Sequence, residues 1–508
     1  MYDTDVLVVG AGPTGLTAAC ALALRGVSVR VIDAADGPSP SSRANFLHAR
    51  GAEVLDRLGA LGDLPEEAIS ALTITVHVAG EPVSVVRFGD AGLRTSRPAL
   101  LAPQSRVEQA LRERLRELGG TVEWGTRLEG IRQEPDGVVA SVEGGGRIRA
   151  RWLVGSDGAH SATRKLVGEA FPGAPVADTW LLADVHMDWP LEPDGSYGWL
   201  HRDGVVGALP MRDPAGEGVI WRLMAYVPGL QGRQLGEEEI VDRLRTLLPE
   251  RTLVTDARVL DATWASVFRI HRRLADSYRH GRVLIAGDAA HLHSPMGGQG
   301  MLTGIGDAEN LAWKLALVLH GKADSALLDT YQDERRPLAE TVLRTTTANS
   351  RLQLGEGAVL RYLREHVLLK LIDLPSVQRW ATAAASQLGV SYRKGPLGGR
   401  RPLLPSRRPE PGDRVPDLAC LREDGGRTRL HGELGSHWVL LAPTADPRGA
   451  ETVRDRLGDG VVVLRPETEG LSDVLLIRPD AHLLWRGRPD DDRLGRVLDG
   501  LLQEGRTR

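Results

Sequence analysis

The chain has 508 residues, of which 42% are hydrophobic and 26% charged, with 63 basic against 67 acidic side chains and a net charge of -4. A length of this order leaves room for several domains of about 100 to 200 residues, and the charge balance excludes both global disorder and the basic excess of a nucleic-acid binder. Half of the aromatic residues are tryptophan (Phe 4, Tyr 7, Trp 11).

The chain opens on an apolar strand at 6–9, the turn Gly10-Ala11-Gly12-Pro13-Thr14-Gly15, an Ala/Leu-rich helix at 16–25 and a second strand at 27–33. Such a unit pairs its strands in parallel through a helical crossover. A Pro/Ser cluster at 37–42 leads into a helix carrying Val54, Leu55 and Leu58 at helical spacing. Another amphipathic helix is expected at 103–118, then strands at 121–131, 138–143 and 147–155. From 171 to 270 the texture changes to short, aromatic-bearing strands between Pro-Asp-Gly and Asp-Pro-Ala-Gly turns. A buried-style strand returns at 282–286, followed by helices at 300–320, 325–350 and 355–388. Pro402, Pro405, Pro409 and Pro411 mark 395–416 as a linker. Beyond it come a strand at 438–442, a helix at 448–457, a strand at 460–465, a hairpin at 473–487 and a helix at 491–503. The expected units are 1–170 with 271–394, a middle unit at 171–270 that shares a sheet with part of 71–100, the linker, and 417–508.

Cys20 and Cys420 lie far apart with no Cys-x-x-Cys, which excludes a disulfide framework, a zinc ribbon and a dithiol site, and fits a reducing cytoplasm. No signal-like start and no apolar run of about 18 residues occurs, so a cytoplasmic protein without a membrane span is expected. His291 and His293 stand two apart without a supporting carboxylate or cysteine cluster, so no metal site is expected.

Gly10, Gly12 and Gly15 between strand and helix form a dinucleotide fingerprint. The first permits a tight turn, the second lets backbone approach a pyrophosphate, and the third lets helix and strand pack. Pro13 and Thr14 open the helix whose free N–H groups would face that pyrophosphate. Asp33, followed by Ala34, is placed to accept from an adenosine ribose and would repel a 2′-phosphate, so FAD or NAD is expected there rather than NADP. Two more turns follow strands: Gly155-Ser156-Asp157-Gly158, leading to Ser161 and Arg164, and Gly287-Asp288, leading to Pro295-Met296-Gly297-Gly298-Gln299-Gly300-Met301.

These three segments, in this order, resemble the hallmark motifs of the class A flavoprotein monooxygenases, the single-component aromatic hydroxylases. The resemblance implies FAD, with Asp157, Gly287 and Asp288 among its contacts and Asp288 on the ribityl chain. It also implies that Pro295, Gly297, Gly298, Gln299, Gly300, Met301 and Leu302 open a helix toward the pyrimidine end of the flavin, where a helix start favours negative charge. Leu302 departs from the asparagine usual at that place. Ser42-Arg43 and His48-Ala49-Arg50 resemble a stretch running close to the flavin, which makes Arg43 the candidate for flavin and NADPH handling. The plain alternative for Arg43 and Arg50 is a solvated surface or a helix salt bridge. Pro103-Gln104 resembles a pair whose glutamine contacts FAD.

The C-terminal segment resembles the thioredoxin-like domain of phenol hydroxylase, aromatic polyketide hydroxylases and rifampicin monooxygenase, without its Cys-x-x-Cys. The implied fold is α/β: a Rossmann-type FAD-binding domain interleaved with an α+β substrate domain, plus a thioredoxin-like α/β domain. The implied activity is a NADPH- or NADH-consuming monooxygenase that uses O2 through a flavin C4a-hydroperoxide to hydroxylate an aromatic polyketide-like substrate. Baeyer–Villiger or rifampicin-type antibiotic-inactivating oxygenation is the alternative, and a non-catalytic flavoprotein that holds an aromatic antibiotic is a third. A flavin halogenase is disfavoured because Trp-x-Trp-x-Ile-Pro is absent. The expected partner is an aromatic small molecule, not nucleic acid or membrane, and the expected state is a monomer or homodimer. Trp180, Trp189, Trp199, Trp221 and Trp264 crowd the middle unit. Trp199 and Trp221, on either side of Pro210-Met211, are expected to line a pocket for a flat ring system together with Met211 and Pro295.

Overall fold

The computed structural model describes residues 1–39, 44–69, 73–87, 95–213, 216, 218–230, 233, 235–294, 298–354, 371, 374–399, 408–444, 446–467, 471–489 and 491–503. Of the expected residues, Arg43, Pro295 and Gly297 lie outside these, as does most of the helix expected at 355–388, of which Pro375–Ala385 is described.

Thr4–Val9 is an almost unbroken apolar run because both of its faces are covered, as in parallel sheets generally. It pairs in parallel with Val29–Ile32 on one side and Gly146–Gly155 on the other. Val122–Glu123 and Val283–Ile285 extend this parallel core outward. Val6 and Val8 face helices Pro13–Ala23, Gln104–Glu117 and Gln299–Leu319. Leu7 and Val9 face the antiparallel strands Leu128–Gln133 and Val138–Val142.

The second sheet runs in the order His291–Leu292, Arg258–Leu274, Gly173–Asp188, Val219–Tyr226, Gly204–Arg212, Ser196–His201, Thr73–Val78 and Glu81–Arg87. One face is closed by the helix Glu237–Thr252, which sequence reading missed. Its signal was present: Ile240, Val241, Leu244 and Leu248 at helical spacing behind three first-turn glutamates. Strand alternation sends Leu181, Ala183, Val185, Trp199, Val206, Trp221 and Leu223 into the core beneath this helix. The other face carries Trp180, Leu182, Val205, Met224, Trp264 and Phe268, with Leu209 packed against Phe46 and Leu101 of the first unit.

This corrects the expectation for Trp199 and Trp221. Both are buried on the helix-covered face, in a cluster with Trp189 and Tyr197, where Trp189 meets Trp221 edge-on at 4.7 Å. A period of two assigns residues to two faces but does not say which face a ligand sees. Met211, two residues beyond Leu209, shares its face, opposite the Trp221 cluster, and is fully buried.

The third sheet has the order Arg427–Arg429, Ala419–Arg422, Val461–Pro466, Trp438–Leu441, Val474–Ile477, Leu483–Gly487. Trp438–Leu441 and Val461–Pro466 are parallel across the helix Pro447–Leu457, and the antiparallel hairpin joins on the far side of Trp438–Leu441, a thioredoxin-type arrangement.

This C-terminal unit is fastened to the first by buried charge. Glu53, on helix Ala49–Arg57, takes the Arg414 Nε–H at 3.1 Å and lies 3.4 Å from Arg50. Glu309 takes Arg57 Nε at 2.9 Å and Arg50 NH2 at 3.0 Å. Glu334 takes Lys314 Nζ at 2.9 Å and Arg478 NH1 at 2.7 Å, while Asp480 takes Arg478 NH2 at 2.7 Å. Arg50 is thus a buried pair-former whose NH2 also reaches the Asp480 carbonyl at 2.7 Å. Burial alone would push the pKa of Glu53, Glu334 and Asp480 up, but the basic side chains facing them, His431 and Arg414 at Glu53, Arg478 and Lys314 at Glu334, Arg478 and His482 at Asp480, outweigh it and hold all three below the ordinary carboxylate range.

Unfolded, these carboxyls return to ordinary values, so below about pH 5 the unfolded chain binds more protons and their contribution is lost as pH falls. The thermal midpoint should therefore drop steeply between about pH 5 and pH 3. Glu53→Gln should cost about 3 to 5 kcal/mol at pH 7 by stranding its arginines, with the gap to the parent narrowing toward pH 3. Trp221→Ala should cost about 3 to 5 kcal/mol in denaturant unfolding, and a KM change without that loss would contradict its placement.

Candidate functional site

Gly10 sits at φ +101°, and a Cβ there would fall 2.5 Å from the Ser156 carbonyl oxygen. At Gly15 it would fall 2.0 Å from the Gly10 carbonyl oxygen. Gly12 is different: its φ is -76° and a Cβ would meet nothing within 4 Å. The first and third glycines are therefore filled by the protein, whereas the second opens onto free space at the start of helix Pro13–Ala23. Asp33 follows directly on Val29–Ile32 and accepts from Ala11 N at 2.7 Å and Ala35 N at 2.8 Å. Its carboxylate thus sits at the edge of the glycine loop, and Ala34 beside it is exposed.

Two further strand ends converge here. In the turn Gly287–Ala289, Gly287 has φ +62° and a Cβ would strike Thr14 Oγ1 at 2.5 Å. Asp288 is exposed between buried Gly287 and Ala289. Asp157 spends both carboxylate oxygens on its own turn, taking Ser161 Oγ at 2.5 Å, Thr163 N at 2.9 Å and Thr163 Oγ1 at 3.1 Å. Arg164, stacked 3.9 Å from the Phe171 ring centroid, donates to the carbonyls of Ala159 and Ala289 and so ties the two turns together.

Gly298, at φ +62°, caps the helix Gln299–Leu319, and a Cβ there would lie 3.4 Å from His48 Nε2 and Phe46 Cβ. Gly300 is open, with nothing within 4 Å of a Cβ. Gln299 is buried and its carbonyl takes Thr303 Oγ1 at 2.8 Å, while Met301 packs on the first core. Leu302 is buried against the Gly51 side of helix Ala49–Arg57, where an apolar side chain fits. Gln104 bridges segments: its backbone N–H reaches the Ala44 carbonyl at 2.9 Å and its Nε2 reaches Glu108 at 2.8 Å.

His291 and His293 stack at 4.8 Å, and burial beside His291 lowers the His293 pKa to about 3. Among the described residues no group of three His, Cys, Asp or Glu is placed to hold a metal ion, and no helix is long and apolar enough to cross a membrane.

One expected residue, Thr14, has a packing role that the sequence did not show, and one site residue, Asp307, escaped sequence reading. Thr14 is wedged between Gly287 and Gly304, where a Cβ on Gly304 would lie 2.1 Å from its Oγ1. Asp307, fully buried, accepts from Gly287 N at 3.1 Å. An acid among the alanines, glycines and leucines of helix Gln299–Leu319 was the available signal.

The glycine loop at 10–15, the turn carrying the exposed Asp288 and helix Gln299–Leu319 meet where Thr14 packs against Gly287 and Gly304, and the second sheet joins the first unit where Leu209 packs on Phe46. A family model described as an FAD binding domain matches residues 3–346, and one described as the C-terminal part of aromatic-ring hydroxylases matches 408–504. The chain belongs to the FAD-dependent aromatic-ring hydroxylases. It is 35% identical to a 12-dehydrotetracycline 5-monooxygenase/anhydrotetracycline 6-monooxygenase of Streptomyces rimosus, over 99% of this chain and 98% of that one. It is equally 35% identical to a rifampicin monooxygenase of Streptomyces venezuelae, over 97% of this chain and 98% of the relative. The solved structure of aklavinone-11 hydroxylase with FAD and aklavinone superposes with a TM-score of 0.79 at 27% identity, over 99% of both chains.

In a hydroxylase of this family, the open space at Gly12 and Gly300 and the exposed Asp288 suit a long, phosphate-bearing cofactor. Gly12→Ala should leave the unfolding free energy within about 1 kcal/mol of the parent, since its φ suits alanine and no clash arises, while weakening FAD binding measured by flavin fluorescence. Gly15→Ala should instead lower folding stability and FAD binding together.

Proposed function

We propose that this monooxygenase draws electrons from NADPH or NADH and uses O2 to hydroxylate a large, flat aromatic substrate of the polyketide type. The observation that carries the reading is likeness over nearly the full chain to enzymes whose names specify tetracycline intermediates and aklavinone. It is joined by the second-sheet face that carries Trp180, Leu182, Met224 and Trp264 beside the buried Arg222–Asp184 ion pair and meets the first unit at Leu209 and Phe46.

In this reading Gly10, Gly12, Pro13, Thr14 and Gly15 hold the pyrophosphate, Asp33 and Ala34 the adenosine ribose, and Gly287 and Asp288 the ribityl chain. Gln104 and the helix start at Gly298, Gln299, Gly300, Met301 and Leu302 flank the ring, where unpaired N–H groups favour negative charge. Asp157 acts at one remove, by capping the turn that Arg164 ties to Gly287–Ala289. Bound FAD supplies the redox and oxygen chemistry, and the protein supplies position and dryness. Leu209, Met211, Met224 and Trp264 are the proposed substrate wall. Arg43, Pro295 and Gly297 keep their family-implied roles as part of the proposal.

A second reading, oxidative inactivation of an aromatic antibiotic, is favoured by the equal identity to a rifampicin monooxygenase. FAD-loaded enzyme with NADPH and 18O2 should add one labelled oxygen to an anhydrotetracycline-type substrate, detected by mass spectrometry. Labelling of rifampicin alone would move the assignment to the second reading. NADPH oxidation at background with both compounds, despite bound FAD, would sink both and leave a binding flavoprotein.

A further inference from the structure

Gly287 adopts a left-handed backbone in a buried turn, so its N–H needs a fixed acceptor. Asp307 provides it. The same Oδ2 that takes Gly287 N–H at 3.1 Å faces His291 Nε2 at 2.6 Å, and because a carboxylate only accepts, that nitrogen carries the proton. The other oxygen takes Arg335 Nε at 2.7 Å. Arg335 also donates through NH1 to the Tyr392 hydroxyl and through NH2 to the Thr303 carbonyl, both at 2.8 Å, so all three of its nitrogens are tied and the guanidinium has one orientation. Gly306 makes room for it: a Cβ there would lie 2.8 Å from Arg335 NH2.

Tyr392 is in turn held by the C-terminal unit. Its N–H donates to the Gly412 carbonyl at 2.7 Å, and the Gly412 N–H donates to the Leu483 carbonyl at 2.7 Å, at the edge of the third sheet. Its ring lies 4.3 Å from that of His482 and under Arg478 at 5.3 Å. Asp480 then fixes both of these, through Arg478 NH2 at 2.7 Å and through its own carbonyl to His482 Nδ1 at 2.9 Å.

We infer that the C-terminal domain is part of the flavin-holding apparatus, acting through Tyr392 and Arg335 on Asp307, the positioning residue for the Gly287–Ala289 turn. None of the three needs to touch the cofactor. The turn carries Asp288 on its outer side and hangs by its backbone N–H from a carboxylate whose other oxygen is set by the C-terminal domain. The inference rests on the reading of this turn as the flavin-holding loop.

The test compares Tyr392→Phe, Arg335→Lys, Asp307→Asn and Asp288→Ala with the parent in the full-length holoenzyme. The measurements are the FAD dissociation constant, the visible spectrum and midpoint potential of bound flavin, and the thermal midpoint of each variant. Tyr392→Phe keeps the ring and loses one hydrogen bond, so FAD affinity should fall by about 2- to 10-fold. Arg335→Lys, which cannot span three acceptors, should lower it by about 10-fold or more. Both should shift the potential and spectrum. If Asp307→Asn fails to fold, the two milder variants still decide the matter. Unchanged affinity, potential and spectrum in folded Tyr392→Phe and Arg335→Lys, even with a lower thermal midpoint, would mean a purely structural network and overturn the inference. Asp288→Ala separates the levels. If it weakens FAD binding while the other variants do not, the positioning role alone fails; if it leaves FAD binding untouched, the turn is not the flavin loop and both fall.

Discussion

Helix Gln299–Leu319 is held from several sides by buried charge, and the placement of almost everything else follows from it. Four of its buried residues, Asp307, Glu309, Asn310 and Lys314, take partners from four stretches of chain: Gly287 and His291, Arg50 and Arg57, Glu334 and Arg335, and Asp480. Taking so many ions out of water is expensive, and the cost is offset only where each is matched by geometry and hydrogen bonds. Here the matching is dense: Arg478 alone divides its donors between Glu334 and Asp480. Lys314 shows the residual tension, since burial pulls its pKa down to about 8 although Glu334 favours the charged form. An apolar helix interface tolerates sliding, whereas one built from paired forks has a single register. The glycine-rich start of the same helix inherits that register.

The glycines show that one motif serves two purposes. Gly10 and Gly15 are excluded from substitution by the protein's own backbone, Gly12 only by whatever occupies the space beyond it. Thr14 is the complementary case, a side chain in the middle of the loop that fills the room Gly287 and Gly304 leave. The glycine loop is locked to two segments more than 270 positions further on by one hydroxyl-bearing side chain meeting two missing ones.

Much of this was legible in the sequence where the determinants are local. The first strand, glycine loop, helix and second strand follow from residues within about thirty positions, and the hairpin and helices of the C-terminal unit from their own periodicity. The family resemblance supplied the fold and the cofactor. What stayed hidden is non-local. Arg50 reads as a residue near the flavin, a solvated surface residue or a helix salt bridge, and nothing near it announces Glu309 or Asp480. Trp199 and Trp221 carry the right alternation, but a sheet covered on both faces gives no polar side by which to orient it. Helix Glu237–Thr252, which decides the question, was missed inside a stretch taken as strands. The burial of Leu302 likewise becomes intelligible only once helix Ala49–Arg57 is seen lying across it.

One aromatic contact has a practical side. Trp313, on the central helix, meets Trp438, on the third sheet, edge-on at 5.3 Å and 85°. The two indoles belong to different units and both are buried, with Trp313 Nε1 donating to Asp480 at 3.2 Å. Indole emission is sensitive to a neighbouring ring and to water, so the pair is a native optical gauge of whether the C-terminal unit is seated. The chain's nine other tryptophans emit as well, so the gauge is read as the difference between the parent and Trp438→Phe.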